Sequence, residues 1–134
     1  ALRENRIPID RDLVVCDRID FDVARNATLR LLEKEDRPDA ILAFNDIITY
    51  AAFDAIKEKG LRIPEDVAII GFTDGDTAAF ATPKLSAIMD KAHEQGTTAC
   101  DLLMRSINGD EKIYKKVVPM ILKIRESSEK NDVK

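Results

Sequence analysis

The stretch that decides the fold runs from residue 40 to residue 46 and reads Ala-Ile-Leu-Ala-Phe-Asn-Asp. Its first five residues are apolar, which is typical of a parallel strand covered on both faces and predicts the middle strand of a sheet at 40–44. Asn45 and Asp46 then mark a helix start, because both side chains can cap free backbone N–H groups. A strand followed at once by a helix indicates an α/β fold.

A helix with one apolar face follows this strand. Its buried stripe is predicted from the helical spacing of five residues: Ile48, Ala51, Ala52, Ala55 and Ile56. Gly60 comes after a basic last turn and predicts the C-cap. The next apolar run, 67–72, predicts a second buried strand. Two strands flanking one helix form a βα unit of a parallel sheet.

The same alternation of short apolar runs and helical stretches extends in both directions. Upstream it predicts a strand at 13–16 and a helix at 21–35. Downstream it predicts one helical turn at 77–81, a strand at 85–89, a helix at 91–108 and a strand at 117–124. The predicted fold class is therefore α/β, with a mainly parallel sheet and flanking helices.

Composition and charge set bounds on function. The chain has 134 residues, 45% of them hydrophobic, and a formal net charge of −4, so we expect one core and no DNA binding by this acidic segment alone. No apolar run approaches the roughly 20 residues of a membrane span, and no signal-peptide core is visible, so a cytoplasmic protein without membrane contact is expected. Cys16 and Cys100 lie in apolar runs and are predicted to be buried and reduced.

Mostly polar residues follow the predicted strands, at the edge where α/β sheets bind ligands. They are Asp17, Arg18 and Ile19 after the first strand, Asn45 and Asp46 after the second, and Thr73, Asp74 and Asp76 after the third. The same residue types also have a purely structural interpretation, as helix caps and Asx turns. For Asp46 both interpretations stay open, and for Asp76 the turn is favoured.

An edge rich in carboxylates also admits a Mg²⁺-dependent enzyme as an alternative. Two observations weigh against it. The glycines are scattered and match no phosphate-binding spacing, and His93, the single histidine, has no nucleophile or metal partner near it in sequence. We therefore predict no catalytic residue, no metal and no cofactor.

Four motifs in register resemble the LacI/GalR-type bacterial transcription regulators. They are residues 37–46 (Arg-Pro-Asp-Ala-Ile-Leu-Ala-Phe-Asn-Asp), residues 60–74, residues 82–88 (Thr-Pro-Lys-Leu-Ser-Ala-Ile) and the closing residues 125–128 (Arg-Glu-Ser-Ser). The resemblance implies the C-terminal part of an effector-binding domain that is built like a periplasmic sugar-binding protein. In that architecture two α/β subdomains enclose a ligand cleft.

The resemblance also implies how the chain is divided. Residues 1–128 would be the C-terminal portion of the effector-binding and dimerisation domain, and the helix at 91–108 would belong to the other subdomain of a longer protein. The charged residues 129–134 are expected to form a frayed tail. Operator DNA would be read only by an amino-terminal helix-turn-helix, which this sequence does not contain, so the chain is predicted to be a fragment.

Carried over residue by residue, the resemblance predicts a site for a small effector, sugar-like or otherwise polar. Asn45 matches the family's Asn that hydrogen-bonds effector hydroxyls, and Asp46 matches the residue that follows this Asn in the family. The other positions depart in part from sugar-binding members: Thr73 replaces an Asp although Asp74 is kept, Arg18 and Ile19 replace an acid and an aromatic residue, and Asp90 replaces a Gln.

Three apolar residues of the predicted helix lie off its buried stripe: Ile47, Tyr50 and Phe53. Phe80 is a further large apolar residue at a place where the sheet gives little cover. These side chains either pack on loops of the same subunit or contact a partner. Because the resemblance implies pairing through this helix and the segment beyond the turn, they predict a homodimer interface.

Two non-enzymatic functions are compatible with this fold. The favoured one is the effector-sensing and dimerising module of a DNA-binding transcription regulator. The alternative is the solute-binding protein of a sugar transporter, which is disfavoured because no secretion signal is visible.

Overall fold

The computed structural model describes residues 2–72 and 77–129, arranged as a four-stranded sheet with helices. The elements are a 3-10 turn (Arg11–Leu13), α1 (Phe21–Leu32), β1 (Ala40–Ala43), α2 (Asp46–Glu58), β2 (Ala68–Phe72), α3 (Thr77–Phe80), β3 (Ser86–Met89), α4 (Ala92–Ile107) and β4 (Ile121–Lys123). The strand order is β1-β2-β3-β4, with the first three strands parallel and β4 antiparallel to β3. The predicted α/β fold with a mainly parallel sheet is confirmed.

The position of β1 differs from the prediction. The strand is an edge of the sheet and not its middle, and its residues alternate in exposure, with Ala43 buried and Leu42 exposed. Among the described residues, α2 covers one face of this apolar run. The run looks like a central strand because every residue in it is apolar.

Packing of α2 on β1 and β2 forms the centre of the core. The predicted stripe is buried at Ala51, Ala52, Ala55 and Ile56, while Ile48 is half-buried. Phe53 is also buried, in the same cluster as Leu32, Ile69 and Leu85. The prediction that Phe53 lies off the buried face is therefore wrong.

Gly71 of β2 allows α2 to approach the sheet closely. A Cβ atom on Gly71 would overlap the Oγ1, Cγ2 and Cβ atoms of Thr49, which is fully buried in α2. The Oγ1 of Thr49 donates a hydrogen bond to the carbonyl of Asn45 at 2.6 Å, so its polar atom is satisfied inside the helix. Any side chain at position 71 would push helix and strand apart.

Ion pairs join α1 to α2 on the outer surface. The Nε of Arg25 donates to Asp54 at 2.9 Å, and its guanidinium also contacts Glu58. Lys59 contacts Glu33 at 2.6 Å, which lowers the pKa of Glu33 through the hydrogen bond and the nearby positive charge. These exposed pairs add little free energy, and they bridge the two helices on the side that faces solvent.

The predicted C-cap at Gly60 is confirmed. Gly60 has a φ of +66°, its N–H donates to the carbonyl of Lys57 at 2.9 Å, and the N–H of Leu61 donates to the carbonyl of Ile56 at 3.2 Å. These two bonds form a Schellman motif, which uses carbonyl groups that the helix end leaves free.

An ion pair holds the loop between α2 and β2. Arg62 donates to both carboxylate oxygens of Asp66, at 2.9 Å and 2.8 Å, and its backbone N–H donates to the same group at 2.8 Å. The side-chain hydrogen bond, aided by the backbone one, holds the pKa of Asp66 well below its usual range. The carboxylate thus stays ionised and fixes the path of the loop into β2.

The closing residues Arg125 to Ser128 hold the amino-terminal ends of β2 and β3 together. The Oγ of Ser127 accepts from the backbone N–H of Ser86 at 2.8 Å and donates to the carbonyl of Ile69 at 2.6 Å. The N–H of Ile69 donates back to the carbonyl of Ser127 at 2.9 Å. Ser86 and Ser127 are both fully buried, so these bonds form without competition from water.

Two further predictions are wrong. Leu13 ends the 3-10 turn and Val14–Cys16 form no strand, because no partner strand in the described part of the chain pairs with them, and every residue from 2 to 20 is exposed. Cys16 and Cys100 are free thiols, as predicted, but both are exposed. Cys16 lies in this unpaired segment, and Cys100 lies on α4.

Helix α4 buries none of its residues, and Leu103, Met104 and Ile107 are exposed on it. It ends at Asn108 and Gly109, as predicted, with Gly109 at a φ of +87°. The last strand is shorter than predicted, covering only Ile121–Lys123. No helix among residues 2–72 and 77–129 is long and apolar enough to cross a membrane. The expected frayed tail lies outside the described residues, apart from Glu129.

Candidate functional site

The carboxyl ends of three parallel strands form one edge of the sheet. Ala43 lies opposite Gly71, and Phe72 lies opposite Ile88, so β1, β2 and β3 end side by side. Phe44 and Asn45 follow β1, and Asp90 follows β3. We call this the carboxyl edge, because it is where an open α/β sheet offers polar groups to a ligand.

Asn45 is the residue that caps α2. Its Oδ1 accepts from the backbone N–H of Ile48 at 2.9 Å, and its side chain is half-buried. The amide nitrogen has no hydrogen-bond partner among the described residues and remains a donor. Asp46 occupies the first helical position and is exposed, so the capping role considered for Asp46 belongs to Asn45.

The other predicted site residues divide into three groups. Asp90 is exposed at the carboxyl edge. Arg18 and Ile19 lie in an exposed irregular segment, where the N–H of Arg18 donates to Oδ1 of Asp17 at 2.8 Å. Because the strand expected before them does not form, no strand end positions Arg18 and Ile19 at this edge. Thr73, Asp74 and Asp76 lie outside the described residues.

Sequence reasoning missed two aromatic residues at the carboxyl edge. The rings of Phe44 and Phe72 lie with their centroids 6.5 Å apart and their planes tilted by 44°. Phe44 is 70% exposed, whereas Phe72 is half-buried. The sequence carries a signal for them, because both apolar runs end in Phe directly before a polar turn, but apolar runs of this kind predict core positions for both rings.

The chemistry of this edge suits binding. An oriented amide donor, two exposed carboxylates (Asp46 and Asp90) and an exposed aromatic face are the groups that hold a neutral polar ligand. Across residues 2–72 and 77–129, no group of three or more His, Cys, Asp or Glu side chains could hold a metal ion.

Comparison with known proteins places the chain in a family. Residues 1–128 match the periplasmic binding protein-like domain. The HTH-type transcriptional repressor PurR of Vibrio atlanticus is 31% identical over 128 residues, which are 96% of this chain and 38% of that protein.

Solved structures of transcription regulators have a similar fold. A regulatory protein of the LacI family from Chloroflexus aggregans superposes with a TM-score of 0.85 at 33% identity, over 96% of this chain and 47% of that one. The transcriptional regulator CelR, in complex with cellobiose, superposes with a TM-score of 0.84 at 28% identity, over 95% and 39% of the two chains.

The chain thus spans less than half the length of these relatives. The matched relatives are transcription regulators and not enzymes. On the match of residues 1–128 and the similarity in fold and sequence, this chain belongs to the periplasmic binding protein-like domain family and represents part of the effector domain of LacI-type transcription regulators.

Proposed function

We propose that this chain is the effector-sensing and dimerising part of a LacI-type transcription regulator, and that it binds a small polar ligand at the carboxyl edge. The observation that carries the proposal is the capping geometry of Asn45. Its oxygen is bound to the N–H of Ile48 at 2.9 Å, which orients its free amide nitrogen at the end of a parallel strand.

A sugar is the favoured class of effector. Asp46 and Asp90 are exposed carboxylates that can accept hydrogen bonds from hydroxyl groups, and the Asn45 amide can donate to one. The CelR regulator, whose fold is shared over 95% of this chain, is in complex with cellobiose. Arg18, Ile19, Thr73 and Asp74 are proposed as further ligand contacts on the family resemblance alone, to be tested by substitution.

We assign DNA recognition to a helix-turn-helix outside these 134 residues. The proposed protein acts in the cytoplasm. Dimerisation is proposed through the exposed side chains of Ile47 and Phe80, with Tyr50 at the margin. Phe53 is excluded from this interface, because it is buried in the core of its own chain. Effector binding would then alter how two subunits pair.

A thermal-shift screen tests the proposal. The chain is heated with neutral sugars, nucleobases and Mg²⁺, and a ligand of the folded state raises the melting temperature in proportion to the logarithm of its concentration. We expect a rise with a sugar that is reduced in Asn45→Ala. Stabilisation by Mg²⁺ alone, together with hydrolytic activity, would instead support the alternative of a Mg²⁺-dependent enzyme. If no organic ligand raises the melting temperature, the effector function is contradicted.

A further inference from the structure

We propose that Asn108 is a site of spontaneous deamidation, through a cyclic imide formed with Gly109, and that this modification loosens the end of α4. The two residues are adjacent at the point where the helix ends. No other asparagine in the sequence precedes a glycine: the others are Asn5, Asn26, Asn45 and Asn131. The proposal is independent of which effector the protein binds.

The reaction is an internal attack by a backbone nitrogen. The nitrogen of Gly109 loses its proton and forms a bond to Cγ of Asn108, the bond from Cγ to the side-chain nitrogen breaks, and ammonia leaves. Water then opens the five-membered imide at either of its carbonyl groups, which gives aspartate or isoaspartate. A water molecule is consumed and an ammonia molecule released, with no change of oxidation state. Glycine favours the attack because it has no Cβ atom to obstruct the ring.

The structure leaves space for this reaction. Asn108 is exposed, and a Cβ atom added to Gly109 would meet nothing within 4 Å. The side-chain amide of Asn108 makes no hydrogen bond to the residues that the structure describes. Asn45 differs, because its Oδ1 accepts from the N–H of Ile48 at 2.9 Å and is held as a helix cap. The side chain of Asn108 can therefore rotate toward the nitrogen of the next residue, whereas that of Asn45 is fixed.

Two backbone hydrogen bonds control the rate. The N–H of Gly109 donates to the carbonyl of Ser106 at 3.1 Å, and the N–H of Asp110 donates to the carbonyl of Arg105 at 3.0 Å. This Schellman motif holds the Gly109 nitrogen against the helix, so the attack requires the motif to open. Opening costs little free energy, because α4 buries none of its residues and Ile107, beside the motif, is 66% exposed. The rate of deamidation therefore depends on fraying of this helix end.

Both products fit the helix end less well than asparagine does. A carboxylate at position 108 lies at the negative end of the α4 dipole. It also lies two residues from Asp110, whose carboxylate accepts from the hydroxyl of Tyr114 at 2.7 Å and from the N–H of Lys112 at 3.1 Å. These hydrogen bonds lower the pKa of Asp110 and keep it charged, so the two carboxylates repel each other. Isoaspartate lengthens the backbone and displaces the N–H groups of the Schellman motif.

Peptide mapping by mass spectrometry tests the site, using the 134-residue chain before and after incubation at neutral and mildly alkaline pH. Trypsin releases Asn108 in peptide 106–112 and, as the control, Asn26 in peptide 26–30. We expect peptide 106–112 to gain about 1 Da at least about tenfold faster than peptide 26–30, because the alanine after Asn26 obstructs the ring. The rate should rise with pH, since the attacking nitrogen must lose its proton. Asn108→Gln should abolish the fast reaction, because glutamine would have to form a larger ring.

Amide hydrogen exchange measured by NMR tests the effect on the helix end. We expect the amides of Gly109 and Asp110 to exchange faster in Asn108→Asp than in the wild type, while Asn108→Gln, which adds no charge, exchanges like the wild type. If peptides 106–112 and 26–30 gain mass at the same rate, Asn108 is not a preferred site and the proposal is overturned. If Asn108→Asp and the wild type exchange these amides equally fast, the new charge does not loosen α4.

Discussion

The side chain of Thr49 fills the space that a Cβ atom on Gly71 would need, and this contact sets the distance between α2 and β2. Both residues are fully or almost fully buried, and neither can move without displacing the helix that carries Asn45. The placement of the cap residue at the carboxyl edge therefore depends on a glycine in the neighbouring strand.

Replacing Gly71 by Ala should destabilise the fold by about 1–3 kcal/mol, because the added methyl group overlaps Thr49 in a packed interior. Urea unfolding followed by circular dichroism measures the change. Gly96→Ala is the control, since a Cβ there meets nothing within 4 Å in the middle of α4, and it should be neutral or stabilising by up to about 1 kcal/mol. Equal effects of both substitutions would contradict the close contact.

Replacing Ser127 by Ala should lower the free energy of unfolding by about 1–3 kcal/mol. The substitution leaves the N–H of Ser86 and the carbonyl of Ile69 without their Oγ partner in a site closed to water. The exposed Ser106 on α4 is the control, and its Ala variant should match the wild type. A Ser127→Ala variant as stable as the wild type would show that the network contributes nothing net.

The Arg62–Asp66 pair predicts how stability depends on pH. The pKa of Asp66 is lowered in the folded state, so the stabilisation is complete above the unfolded pKa of about 3.9 and is lost as the pH falls toward the folded value. Asp66→Asn should therefore be less stable than wild type near neutral pH, and the difference in their free energies of unfolding should become smaller below about pH 4.

Urea unfolding at several pH values measures this gap, with Glu35→Gln, an exposed carboxylate in the loop after α1, as the control. A gap that stays constant on acidification would mean that the charge of Asp66 contributes nothing.

Phe80→Asp should convert the proposed dimer into a monomer, as measured by light scattering at micromolar concentration. Phe80 is 82% exposed, so a charge there costs the fold little but opposes an apolar contact between subunits. Phe80 is a better choice than Tyr50, which packs against the core. Ile113→Asp is the control for a charge placed at an exposed apolar position elsewhere. If light scattering gives the Phe80→Asp variant the molar mass of a dimer, the interface lies on another surface.

The helices and their ends could be predicted from local patterns. The stripe of α2, its cap at Asn45 and the glycine turns at Gly60 and Gly109 all depend on residues within one or two turns of each other. Such interactions are visible in the sequence, because they connect neighbours along the chain.

The errors concern contacts between distant segments. The run at Ala40–Ala43 is apolar throughout, but a strand's composition does not state which of its faces is covered. Residues 14–16 have the composition of a strand and no partner among the described residues. Phe53 reaches the core because α1 packs beside α2 and extends the buried surface past the predicted stripe.

The candidate site shows the same difference between local interactions and contacts of distant segments. Asn45 was found because a strand end and a helix start meet at it, whereas the Phe44–Phe72 pair exists only through the register of two strands. The prediction of Arg18 and Ile19 at the edge depends on a strand that does not form.

The connection of α4 to the sheet has a mechanical consequence. The chain leaves the sheet from β3, passes through α4 and returns as β4, and these two strands are hydrogen-bonded neighbours, with Ala87 opposite Lys123 and Met89 opposite Ile121. No residue of α4 is buried, and the two chain segments that connect α4 to the sheet start from these adjacent strands. A displacement of α4 relative to the sheet would therefore act on both strands of this one antiparallel pair, and Asp90 directly follows one of them.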